Sequence, residues 1–136
     1  MIGKQAPKPF RSWEEGAETA GLSENGEYGM NKTEIYIGLN DQTTKTQKHE
    51  TSLYISILKY VCRSYKVPFS FNLIEGGYLH ENGEYTQENT LVLTLIGVEE
   101  RLIGEIAKDL CTFFHQESVL VATGEVSIYS VKEEKL

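Results

Sequence analysis

Cysteine is scarce in this chain, with two residues in 136, too few for the disulfide framework of a secreted mini-scaffold. Neither sits in a CxxC pair, which excludes the common zinc and thiol-redox motifs. Positive charge is in deficit: thirteen Lys and Arg stand against twenty Asp and Glu, a net charge of -7. That balance repels nucleic-acid phosphates overall and favours basic partners or plain solvation. No apolar run approaches the roughly 18 residues of a membrane span, and the segment MIGKQAPKPF carries no apolar export signal. A soluble, cytoplasmic protein with no membrane partner is expected. Phosphate-binding glycine loops, HExxH and GxSxG are all missing. His49, His80 and His115 fall at unrelated places, none at ligand spacing from another. No catalytic residue, metal or cofactor is assigned.

What is present is a globular pattern, 40% apolar and 24% charged, of a length that fits one domain. Residues 1–29 hold two of the three prolines and the only tryptophan. Within them Ser12-Trp13-Glu14-Glu15 has capping-box spacing, and Gly21 can close a short helix begun at Trp13. We treat 1–29 as an N-terminal extension and 30–136 as the domain proper. Ile35, Ile37 and Leu39 alternate with Glu34, Tyr36 and Gly38, the period of a first strand with one buried side. TSLYISILKYVCRSY then repeats Leu53, Ile57 and Val61 at spacing four, beside Tyr54, Leu58 and Tyr65, and reads as a helix stopped before Pro68.

Phe69, Phe71 and Leu73 begin a second strand, and Leu91, Leu93 and Leu95 mark a third. VEERLIGEIAKDLCTFFHQ places Leu102, Ile103, Ile106, Leu110, Phe113 and Phe114 at helical spacing. SVLVA and VSIYSV close the chain, either as two short strands or as one broken by a bulge at Thr123-Gly124. The order is βαββαβ, a ferredoxin-like α+β arrangement with two helices on one face of an antiparallel sheet.

The pentapeptide ENGEY occurs twice, at 24–28 and 81–85. Between two strands, Asn82-Gly83 is a hairpin turn, since both residues tolerate positive φ. The first copy follows no strand, so the pair is not read as an internal repeat. Gly26-Glu27 can be encoded GGAGAA just upstream of Met30, which resembles a ribosome-binding site before a start codon. The domain is therefore expected to begin at Met30.

With the helices on one side, the other side of the sheet should carry a polar surface with aromatics, at Glu34, Tyr36, Asn72, Tyr78, Glu88, Thr90 and Tyr129, which a ligand, a second subunit or water must cover. Glu34 and Glu88, if they met across adjacent strands, would form a carboxylate pair able to split acid and base roles. The third strand, NTLVLTLIG, has no aromatic stacking platform, so an RRM-like RNA surface is not expected. Cys62 and Cys111, one per helix, are read as free thiols, a helix-to-helix disulfide being the alternative.

Three stretches carry a family likeness: Glu34-Ile35-Tyr36-Ile37-Gly38; Gly76 with Tyr78, Gly83, Tyr85 and Glu88; and Phe114-His115-Gln116-Glu117-Ser118-Val119-Leu120. In their order they resemble a domain-of-unknown-function family of small bacterial proteins, over about residues 33–121. That resemblance implies the same βαββαβ order, marks Tyr36, Tyr78, Glu88, Gln116 and Glu117 as recurring positions, and brings no activity with it. The family's PRFPDGLT run is replaced here by SYKVPFSF. The composition is also similar to that of small proteins of phages and mobile elements.

The functional expectation is a non-catalytic binding protein of a phage or mobile element, anti-defence in its most concrete form. Its partner would be a host protein or a small signalling ligand, and it would self-associate as a homodimer or higher oligomer. The alternative is a small nucleotide-directed enzyme or ligand-binding domain built on the open face of the sheet.

Overall fold

Residues 27–130 are described by a computed structural model; the short helix expected from Trp13 lies outside them. The elements are β1 (Glu27–Gly38), α1 (Thr51–Ser64), β2 (Ser70–Leu79), β3 (Tyr85–Ile96), α2 (Glu100–Phe113) and β4 (Leu120–Tyr129). They form one antiparallel sheet of order β2-β3-β1-β4. α1 carries the chain past the position beside β1 to the far edge, and the β2–β3 hairpin brings β3 back into the gap. This is the ferredoxin-like α+β fold that the order of patterns implied.

The core follows the period-two residues. Ile35 and Ile37 of β1, Leu39 just after it, and Leu91, Leu93 and Leu95 of β3 are at most 1% exposed, under Tyr54, Leu58, Val61 and Cys62 of α1 and Leu102, Ile103, Ile106 and Leu110 of α2. Tyr54 and Phe114 tie the helices together with ring centroids 5.2 Å apart. The Tyr65 hydroxyl donates to Asp109 Oδ2 at 2.7 Å across the same seam. Two details of the helical stripes differ from expectation: Leu53 and Phe113 are exposed. In each helix the apolar positions cover more than one face, and packing selects the row centred on Leu58 or on Ile106.

The strand ends also differ. β1 starts at Glu27, three residues ahead of Met30, because its pairing with β4 runs without interruption from Glu27↔Tyr129 to Tyr36↔Leu120. β4 is therefore one continuous strand. Thr123 and Gly124 pair with Thr33 and Lys32 in regular register, since a small residue weakens a strand but does not break a ladder whose partner is complete. The two ENGEY copies take different structures. Glu81–Glu84 form the hairpin tip, with Gly83 at φ 88° and Asn82 Oδ1 accepting from Glu84 N–H at 3.0 Å, whereas Glu27 and Tyr28 already belong to β1.

Candidate functional site

Strand register settles which expected residues share a side of the sheet, because directly paired residues point the same way. Tyr36 pairs with Val92, and Val92 with Asn72, so these three form a row on the face away from the helices. Glu34, Thr90 and Tyr78 lie on that face by the same parity, and so does Glu88, paired with Gly76. Tyr129 does not: it pairs with Glu27, in phase with Thr33 and Ile35, and falls on the helix side. Gln116 and Glu117 are not on the sheet at all but in the loop after α2. The expected carboxylate pair does not form. Glu34 pairs with Thr94, and Glu88 lies two residues beyond the Gly38↔Thr90 pair, which separates the two backbones by roughly 20 Å of strand at 3.3–3.4 Å per residue.

Glu88 does something else. Its carboxylate lies over Gly38, where a Cβ would come within 2.5 Å of Oε2, and that oxygen accepts from Asn40 N–H at 3.0 Å. Asn40 also donates through Nδ2 to Gln87 O at 3.2 Å, and its own carbonyl accepts from Gln116 Nε2 at 2.6 Å. Glu88 and Gln116, two of the expected site residues, thus meet at Asn40, where β1 ends.

Next in the chain, buried Asp41 accepts at Oδ1 from Thr43 and Thr44 N–H at 2.8 and 3.2 Å. Its Oδ2 lies 2.5 Å from His115 Nδ1 and 3.6 Å from Lys48 Nζ. The hydrogen bond to His115 holds the Asp41 carboxyl well below the usual carboxylate range; the two backbone donors act in the same sense, while burial opposes them.

The way α2 ends explains why His115 is there. The His115 N–H bonds Thr112 O and the Gln116 N–H bonds Cys111 O, a Schellman pair around a left-handed residue, and His115 is at φ 51°. α1 ends alike, with Lys66 at φ 54° and bonds Lys66 N–H to Arg63 O and Val67 N–H to Cys62 O. Left-handed conformation costs a residue with a Cβ about 1–2 kcal/mol, offset at His115 by its contact with Asp41. Asn40, Asp41 and His115 were missed as a group because they are distant in sequence. The one local signal was Asp-x-Thr-Thr, an Asx-turn sequence.

A cavity of about 620 Å³ opens on the opposite flank, between the first turns of α2 and strand β4. α2 lies against β1, so the helix side of the edge strand β4 is not roofed, and Val121 stays 41% exposed. Thr33 and Thr123, a cross-strand pair, line the floor with Val121; Ile103 and Gly104 line the wall; Glu100 and Glu125 stand in the lining as well. Thr33 is 1% exposed. Gly104 has no positive φ, and a Cβ there would meet nothing within 4 Å. In a helix interior glycine costs about 1 kcal/mol against alanine, so neither backbone geometry nor packing accounts for it.

Among the described residues no group of three or more His, Cys, Asp or Glu is arranged to hold a metal ion. Cys62 and Cys111 are free thiols, and burial pushes the Cys62 thiol up to about 12.

No protein-family model and no curated protein matches the chain. Among solved structures it is similar to a phage SAM lyase in its apo state, with a TM-score of 0.55, 21% identity, and coverage of 78% of this chain and 94% of that one. A phage SAM lyase in complex with S-methyl-5'-thioadenosine gives a TM-score of 0.51, 19% identity, and coverage of 84% and 97%. A GlnK–ATP complex of B. subtilis follows at a TM-score of 0.48 and 17% identity, covering 72% and 82%. Likeness at this level of identity speaks for the fold.

Proposed function

We propose that this chain is a cytoplasmic, phage-associated protein that binds an adenosine-bearing sulfur compound, of the S-adenosylmethionine and S-methyl-5'-thioadenosine class, in the cavity between α2 and β4. The observation that carries the reading is the cavity. Its volume of about 620 Å³ falls inside the roughly 300–1,000 Å³ of small-molecule sites, and it mixes apolar walls with a few polar groups as such sites do. Gly104 supports it, since a side chain there would take up ligand space. The choice of compound follows the phage structures of like fold, one of which holds S-methyl-5'-thioadenosine. Acting by sequestration, the protein would deny that compound to a host defence system. No helix among the described residues is long and apolar enough to cross a membrane.

Calorimetric titration with S-methyl-5'-thioadenosine and with S-adenosylmethionine tests the reading. At least one should bind the wild-type chain, and Gly104→Leu, filling the cavity, should abolish binding while the helix becomes no less stable. Binding that survives Gly104→Leu unchanged would remove the cavity from the proposal.

A second reading, turnover, is favoured by the two carboxylates in the cavity, because an elimination needs a base beside its substrate. Release of S-methyl-5'-thioadenosine from S-adenosylmethionine, lost in Glu125→Gln, would establish it. Self-association belongs to the proposal too. β4 is a ten-residue edge strand without lysine, arginine or proline, it exposes Leu120, Val121 and Tyr129, and such an edge invites pairing with a second copy. Light scattering that gives a monomer mass at micromolar concentration would dismiss this part.

A further inference from the structure

The lining of the cavity is unbalanced in charge. Among the described residues Glu100 and Glu125 are its charged groups, and no lysine, arginine or histidine lines it. Of the cations that adjoin the lining in sequence, Lys108 is exposed on α2 and lies outside the lining, and two others point elsewhere. Arg101 is engaged outside with Glu99 and Glu105, both at 3.3 Å. Lys32, next to Thr33 in β1, falls on the opposite side of the sheet by strand alternation. The N-terminus of α2 supplies roughly half a positive charge, but Glu100 sits in that first turn and two carboxylates outweigh it. A concave site lined by one sign concentrates ligands of the other sign. Thr33 and Thr123 at the floor are uncharged and leave the balance as it is.

We infer that the site selects the positively charged member of its ligand class, a sulfonium such as S-adenosylmethionine, over the neutral thioethers. Glu100 and Glu125 supply the selection. The inference rests on the proposed binding site but goes beyond it, because a cavity of this volume would admit charged and neutral compounds equally if shape alone decided.

S-Adenosylmethionine and S-adenosylhomocysteine form a matched pair that differs by one methyl group and the charge on sulfur. Titrated against the full chain at 50 mM salt, the sulfonium should bind at least about ten-fold tighter. Glu100→Gln with Glu125→Gln should remove that preference, lowering the affinity of the sulfonium by clearly more than that of the thioether, which shares its ammonium and carboxylate groups. Raising salt to 300 mM should weaken the sulfonium more than the thioether. Both glutamates are exposed, and circular dichroism melts of the variants verify that they fold. If the wild-type chain consumes the sulfonium, its KM and the inhibition constant of the thioether replace the two affinities. Equal affinity for the two compounds, with binding still blocked by Gly104→Leu, overturns the charge selection and leaves the binding site standing. Failure of both to bind overturns the site and the inference together.

Discussion

Replacing Gly38 by alanine should have opposite effects on stability in two backgrounds. Gly38 lies at the end of β1 with ordinary φ, so alanine suits the backbone there and should gain about 0.5–1 kcal/mol from the entropy glycine loses on folding. Its Cβ, however, would stand 2.5 Å from Glu88 Oε2. The backbone is held by its pairing with Thr90 of β3, and the carboxylate is the end of a flexible chain, so the carboxylate moves. It then releases the Asn40 N–H that it accepts at 3.0 Å. A hydrogen bond to a charged group contributes about 1.5–3 kcal/mol, and because Glu88 is half-buried the lower end applies.

Gly38→Ala should therefore cost roughly 0.5–1 kcal/mol in the wild-type chain, the difference between those two terms. In a Glu88→Ala background the hydrogen bond is already gone and the same substitution should stabilise by about 0.5–1 kcal/mol. The coupling energy, read from urea denaturation of the four proteins, should reach about 1–2 kcal/mol. Equal effects of Gly38→Ala in both backgrounds would mean that the Glu88 carboxylate does not occupy the space over Gly38.

The helix stripes give a paired test: Leu58→Ala should cost about 2–5 kcal/mol, whereas Leu53→Ala, at an exposed position, should stay within about 0.5 kcal/mol, both read from thermal melts. For Asp41 the folded carboxyl titrates below its unfolded value, so its stabilisation is complete above the unfolded pKa of about 3.9 and is lost as pH falls below that. Urea midpoints measured from pH 6 to pH 2.5 should decline through this window, and the decline should flatten in Asp41→Asn; an unchanged slope would count against the Asp41–His115 contact. Cys62, buried and with its thiol raised to about 12, should resist alkylation in the native protein at pH 8 and react once urea unfolds it. Rapid native labelling at Cys62, mapped by mass spectrometry, would contradict its burial.

Element order and core were legible in local patterns. Period-two alternation around Ile35 and Leu93 and helical spacing around Leu58 and Ile106 are local properties, and burying those apolar sets together leaves few arrangements other than two helices on one side of a sheet. Asn82-Gly83 fixed the hairpin for a local reason too, its tolerance of positive φ at Gly83. Register and end geometry, by contrast, depend on partners far along the chain. The expected open face was right at Tyr36, Asn72 and Glu88, where alternation is tied to a core strand. It missed at Tyr129 because one residue of phase, set only by pairing with β1, turns a side chain to the other side. Asp41 and His115 lie 74 positions apart and meet because α2 closes with a left-handed residue at the point where β1 runs out. The cavity arises in the same way, from an edge strand extending past the helix that lies over its neighbour. No stretch of sequence contains such a space, and only the packing of α2 on β1 beside β4 creates it.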